Sequence, residues 1–230
     1  MRRGKKRSGT AAITGKPMKT LDIFPTKIFA WDWDGDVNEL LDDIKEKCDD
    51  RTKDSGKMKN TRQMGVVQLD PYGWGDYPNI LSKLDTISGF IDECLEDVRQ
   101  YYRLQCEGLR VTTSWVNKYK EGSGLQWHRH PMSAFSGSIF LNDVGVLSFA
   151  DPVHFRSYES IIPFADQNQE KHYHLQAVPG RVIIFPQWME HSANTNGDGE
   201  RWSLAFNTMP YGNINHDEGL LLSSARLEVK

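Results

Sequence analysis

The feature that most constrains this chain is a succession of short period-two segments between Leu109 and Thr208. Residues 111–119, 134–141, 145–149, 172–178, 180–185 and 201–208 each read as a strand, rich in β-branched and aromatic side chains. Turn signals separate them: Glu121-Gly122-Ser123-Gly124, Asn142-Asp143, Pro179-Gly180 and the stretch from Asn194 to Gly199. No helical pattern interrupts the series. Many short strands at this spacing close on themselves as a sandwich or barrel of the jelly-roll kind. The expected fold class is therefore mainly β with flanking helices around a jelly-roll core.

The helices belong to the first hundred residues. Leu21 to Ala30 surrounds Pro25 with apolar residues and predicts an edge strand or an extended arm. Asp36 with Glu39 three places on forms a helix start, followed by Val37, Leu40, Leu41, Ile44 and Cys48 at helical spacing. Residues 49–63 predict a loop, and residues 65–79, rich in Gly, Pro and aromatics, an irregular stretch. Ile80 to Leu104 is the longest helical pattern, with Leu84, Ile87, Ile91, Leu95, Val98 and Tyr102 on one face. Such a helix supports a sheet from outside. From Gly212 onward the chain predicts a loop, then a short apolar helix or strand.

Charge divides the chain unevenly. Residues 1–20 carry seven Lys or Arg and no acid, leaving 21 basic against 31 acidic residues in the rest. The body is thus no generic polyanion binder. The tail reads as solvated and disordered, and any nucleic-acid contact is confined to it. The expected organisation is a basic tail at 1–20, an N-terminal arm and supporting helices at 21–108, a β core at 109–211 and a C-terminal extension at 212–230. Three cysteines, Cys48, Cys94 and Cys106, form no Cys-x-x-Cys pair and suit a reducing cytoplasm. There is no apolar run of membrane-spanning length, and no membrane partner is expected.

Two segments carry candidate chemistry. In Gln126-Trp127-His128-Arg129-His130-Pro131, a His-x-His pair placed on a strand turns both imidazoles to one face. Phe185-Pro186-Gln187-Trp188-Met189-Glu190-His191 supplies a third histidine from a distant strand. Three ligands on one face of a metal leave its other positions open, as a catalytic site requires. A second pair, His172 and His174, lies in a polar run and reads as solvated; His154 and His216 lack ligand spacing. Arg201, ten residues after His191, and Ser203 share a strand face, and a guanidinium grips a carboxylate in bidentate fashion. Trp115, Trp127, Trp188 and Trp202 flank these groups as core or pocket wall, and Asn117 and Asn207 are candidates to line the pocket.

From Thr113 to Thr208 the chain resembles the 2-oxoglutarate and Fe(II)-dependent oxygenases, most nearly small uncharacterised ones of bacteria and marine phages. The pieces that carry the likeness are Ser114 to Tyr119, Gln126 to Pro131, Phe135 to Leu141, Gly145 to Pro152, Gly180 to His191 and Glu200 to Asn207. The resemblance implies a double-stranded β-helix, cupin-like core. It implies Fe(II) as metal, 2-oxoglutarate as co-substrate, O2, and hydroxylation of a substrate whose class, small molecule or protein side chain, stays open. By position, His128 and His191 match the two histidine ligands. His130 falls where the wider superfamily has Asp or Glu, so it is either the third ligand, as in the three-histidine iron sites of thiol dioxygenases, or a neighbour of a metal that Asp151 or water completes. Arg201 and Ser203 match the residues that hold the distal carboxylate of 2-oxoglutarate, and Tyr119 the tyrosine that donates to it. Two alternatives stand beside this reading: a three-histidine dioxygenase that does not use 2-oxoglutarate, and a non-catalytic jelly-roll module with a vestigial site.

Overall fold

The computed structural model describes residues 25–49, 63–71, 79–152, 172–194, 199–214 and 225–228. The tail at 1–20, His154, His216 and residues 153–171 lie outside them. Eleven antiparallel strands and two α-helices are built from the described residues. Strand β1 (Phe29–Asp32) is an edge strand, as expected of this arm, although it starts at the end of the predicted segment. Helix α1 (Val37–Lys47) follows, its first turn capped by Asp36 Oδ1, which accepts the backbone N–H of Asn38 at 2.8 Å and of Glu39 at 3.2 Å. Leu40 and Ile44 are its buried positions.

The long helical pattern is broken. Ile80–Lys83 forms a short 3₁₀ turn, and helix α2 (Asp85–Tyr102) starts only after Leu84. Leu84 has φ −111° and ψ 73°, outside the helical region, so one apolar face is carried by two pieces with a corner between them. Ile87, Ile91, Cys94, Leu95 and Val98 are buried along α2, whereas Tyr102 at its end is exposed and stacks on Phe135.

Strand β2 (Cys48–Asp49) pairs with β3 (Gln63–Pro71), so the irregular reading of 65–79 fails over its first half. Met64-Gly65-Val66-Val67-Gln68-Leu69 is strand material, and a register shift between Met64 and Val66 absorbs Gly65. Strand β4 (Gly108–His128) runs straight through the predicted turn at 121–124. The glycines there serve a bend within one strand: Gly122 has φ +72°, a conformation that favours glycine. Strands β5 (Phe135–Phe140), β6 (Val146–Ala150), β7 (His172–Gln176) and β8 (Arg181–Pro186) match the sequence expectation closely. Strand β9 (His191–Asn194) is short and was not marked by periodicity. Strand β10 (Arg201–Ile214) continues past Gly212, where a loop was expected, because β11 (Ala225–Leu227) returns to pair with it.

The strand order is β1-β8-β5-β10-β4-β9-β6-β7, with β3 on the other edge of β4. Strand β4 joins the two halves. β10 pairs with it as far as Tyr119, and β9 takes it up from Leu125 to His128. Because β3 occupies the opposite edge at both Tyr119 and Leu125, β10 and β9 share one edge in succession. This is the antiparallel, curled sheet of a double-stranded β-helix.

Alternation then sorts the side chains. Val182, Ile184, Trp202, Leu204 and Phe206 face α1 and α2, joining Leu40, Ile87 and Leu95 in the larger core. Ile183, Phe185, Phe140, Leu147, Phe149 and Met189 form a second cluster on the inner side. With both faces covered, β8 reads as a continuous apolar run. No helix among the described residues is long and apolar enough to cross a membrane.

Candidate active site

The inner face of the curled sheet holds a small cavity. Leu147, Phe185 and Ala193 wall it, His128, His130 and His191 stand on it together, and Tyr119, Arg201 and Ser203 line it too. Asn117 and Ser138 complete its polar surface. The register explains the gathering. His128 and His191 are direct partners across β4 and β9, while Arg201 faces Tyr119 and Ser203 faces Asn117 across β10 and β4. Cross-strand partners point to the same face.

The ring centroids are 4.2 Å apart for His128 and His191, 4.9 Å for His130 and His191, and 5.2 Å for His128 and His130. One nitrogen from each lies within 4.8 Å of the others, and among the described residues no carboxylate joins them, Asp151 included. The expected reason for this convergence needs correcting. β4 ends at His128, so His130 does not share a strand face with it; His130 lies past the strand end, its backbone N–H reaching the Gln187 carbonyl at 3.4 Å. Trp115 stacks on the His130 ring, and Phe185 meets His191 edge-on.

Each imidazole uses Nδ1 for a hydrogen bond: His128 to the Gln126 carbonyl at 2.8 Å, His191 to the Met189 carbonyl at 3.0 Å, His130 to Asn207 Oδ1 at 2.6 Å. Burial holds all three below their ordinary value, His191 at about 3 with the neighbouring His128 adding to the effect. They are neutral near pH 7, the state a metal requires of an imidazole. The three neutral nitrogen donors, each oriented by a second bond, suit a divalent transition metal such as iron.

Arg201 is 1% exposed. Its Nη1 donates to the Val146 carbonyl at 3.1 Å, and its guanidinium carbon lies 5.0 Å from the Tyr119 ring and 5.7 Å from that of Phe140. Its Nε has no hydrogen-bond partner among the described residues. A buried guanidinium without a full set of acceptors is costly, and an incoming carboxylate relieves it. Tyr119 is hydrogen-bonded to Ser203, and burial pushes its phenol up from the ordinary value.

The other described histidines stand apart. His172 and His174 are exposed on β7; His172 stacks on Trp127 and His174 Nδ1 meets Ser148 Oγ at 2.7 Å. Trp127 and Trp188 are partly exposed, and Trp202 belongs to the larger core. Asn117 lines the cavity as expected, whereas Asn207, also expected there, is not among the lining residues; it is bonded to His130, a contact that sequence reasoning missed. The signal was available in the alternation of Arg201, Ser203, Ala205 and Asn207 along one strand face.

Residues 113–207 match a family model described as a 2OG-Fe(II) oxygenase. No curated protein sequence matches the chain. Among solved structures, it is similar to the non-heme alpha ketoglutarate dependent epimerase SnoN from nogalamycin biosynthesis, at 15% identity and a TM-score of 0.56, over 88% of this chain and 91% of that one. A Pseudomonas putida prolyl-4-hydroxylase aligns at 16% identity and a TM-score of 0.52, over 81% and 94%. HygX from Streptomyces hygroscopicus, solved with nickel, 2-oxoglutarate and hygromycin B, aligns at 11% identity and a TM-score of 0.53, over 80% and 83%. These likenesses establish the fold.

Proposed function

We propose that this chain is a 2OG-Fe(II) oxygenase, of the family whose model residues 113–207 match, in which His128, His130 and His191 hold Fe(II) while Arg201, Ser203 and Tyr119 seat 2-oxoglutarate. Fe(II) and 2-oxoglutarate are the metal and co-substrate that membership implies. We propose further that the reaction is hydroxylation of a C–H bond, on a substrate that is a small molecule or a protein side chain. The cytoplasm is the expected location, the host's if the chain is phage-borne.

The observation that carries the assignment is the pairing, on one cavity, of three neutral imidazoles with a buried guanidinium whose Nε is unpartnered among the described residues. Bound Fe(II) supplies the coupling of O2 reduction to decarboxylation of 2-oxoglutarate, giving succinate and CO2, and to oxidation of the substrate. The chain does the rest. Arg201 binds the distal carboxylate and, being held by Val146, Tyr119 and Phe140, does not follow it outward. The Ser203 and Tyr119 hydroxyls offer further donors to the same carboxylate. Phe149, Phe185 and Leu147 keep water from the inner side of the histidines.

The test is succinate formation from 2-oxoglutarate under air with added Fe(II), comparing wild type with His191→Ala and Arg201→Ala. Loss in both variants supports the assignment; equal turnover in all three sinks it. Turnover of a substrate that needs His191 and is indifferent to Arg201 and 2-oxoglutarate would favour a three-histidine dioxygenase of another kind.

A further inference from the structure

The three histidines do not obtain their orientation in the same way. His128 and His191 each donate from Nδ1 to a backbone carbonyl two residues earlier, Gln126 and Met189. A carbonyl oxygen only accepts, so in both rings the proton is on Nδ1 and the lone pair on Nε2. His130 has left the strand and has no such carbonyl. Its Nδ1 partner is the side chain of Asn207, at 2.6 Å. An amide can present either an oxygen or an NH2 group, so the tautomer of His130 depends on which way Asn207 is held.

Two neighbours hold it. The Asn207 Nδ2 donates to Thr113 Oγ1 at 3.2 Å, on the adjacent strand β4, and Ser136 Oγ, fully buried on β5, donates to Asn207 Oδ1 at 2.9 Å. Asn207 lies on β10 between those two strands, and its own carbonyl accepts from Thr112 Oγ1 at 3.3 Å. With the NH2 group engaged by Thr113, the oxygen is the atom turned to His130.

We propose that Asn207 is a positioning residue that fixes His130 as the Nδ1–H tautomer, so that all three histidines present Nε2, with Ser136 and Thr113 setting the direction of the amide. The role rests on the reading that these histidines share a metal. Asn207 touches neither metal nor co-substrate; it acts through His130.

The test uses the full chain, labelled with ¹⁵N-histidine and freed of metal. Long-range ¹⁵N–¹H spectra should show His130 protonated at Nδ1 in the wild type and in Asn207→Asp, which keeps an acceptor oxygen. In Asn207→Leu, His130 should lose its single tautomer while His128 and His191 keep theirs. Titration with Co(II) should give an affinity about 10–100-fold weaker for Asn207→Leu and largely restored in Asn207→Asp. In a His130→Ala background Asn207→Leu should weaken Co(II) binding no further. If Asn207→Leu does not fold, the Ser136→Ala, Thr113→Val double variant releases the amide and should scramble the His130 tautomer instead. Wild-type His130 protonated at Nε2, or an Asn207→Leu variant with wild-type tautomer and Co(II) affinity, overturns the assignment. Failure of the wild type to bind Co(II) overturns the metal reading itself, and the positioning role with it.

Discussion

Arg201 and Tyr119 are direct partners across β10 and β4, with the guanidinium carbon 5.0 Å from the centre of the phenol ring. The ring covers one side of the cation, Phe140 lies 5.7 Å away, and burial pushes the guanidinium down from its ordinary value. A charge kept in so enclosed a place is poised for an anion.

Replacing Arg201 therefore tests the co-substrate seat. Arg201→Ala is expected to raise the KM for 2-oxoglutarate at least tenfold, the loss of a charge-assisted bond of about 1.5–3 kcal/mol. Arg201→Lys should recover only part, because a point charge does not reproduce the planar fork. Tyr119→Phe, which removes one hydroxyl, should cost less than about tenfold, near 1 kcal/mol. Initial rates of succinate release against 2-oxoglutarate concentration decide all three. An unchanged KM in Arg201→Ala would remove the residue from the seat.

Metal should stabilise the folded chain. Anaerobic Fe(II) at one hundred times its Kd contributes about 2.7 kcal/mol by mass action, a rise in Tm of about 5–10 °C for a chain of this size. Differential scanning calorimetry of the chelated protein, before and after Fe(II), measures it. His191→Ala should show no such rise, and a shift as large as the wild type's would exclude His191 as a ligand.

Acid should destabilise the metal-free protein at a pH where most carboxylates are still charged. His191 is held at about 3 against an ordinary 6.5, so the folded chain refuses a proton that the unfolded chain accepts. The stability this represents is present above 6.5 and is lost as the pH falls towards 3. From pH 7.5 to 5 the His191 contribution falls by about 2 kcal/mol, to which His128 and His130, also held low, add. Urea midpoints across that range should decline in the chelated wild type and decline less steeply in His191→Leu; parallel slopes would remove His191 as the cause.

Gly137 is a packing constraint beside the site. A Cβ built there would collide with the ring of Phe206, its partner across β5 and β10. Gly137→Ala should destabilise by about 1–3 kcal/mol as that ring is forced aside. Thermal melting checks this, and an unaltered Tm would mean that Phe206 has room to give.

Much of the site was legible in advance because it depends on alternation. Arg201 and Ser203 lie two apart on one strand, as do Asn117 and Tyr119, and a period of two sends each pair inward whatever the rest of the fold does. The convergence of His191 with His128 needed the likeness to known oxygenases, since no local pattern says which distant strand pairs with which. The position of His130 was reached through a wrong premise, a strand two residues longer than it is. Boundaries were missed where a local signal had two uses. Gly122 and Gly124 mark a turn in isolation and a bend in a strand that has partners on both edges. Leu84 fits an apolar helical face and also the corner between a 3₁₀ turn and a helix. Gly65 and Pro71 look irregular until β4 offers the stretch between them a partner.

The continuity of β4 past those glycines has a further consequence. Tyr119, beside Arg201, and His128, across from His191, lie nine residues apart on one strand, an odd separation that alternation alone would send to opposite faces. The register shift between Leu125 and His128 brings both to one face, so the distance between the two halves of the cavity is measured by the chain itself, as on a ruler with one notch displaced. Alternation makes that ruler sensitive to odd and even. One residue inserted between Tyr119 and His128 would turn one end of β4 outward and divide the cavity between two faces of the sheet, with every side chain of the site still present.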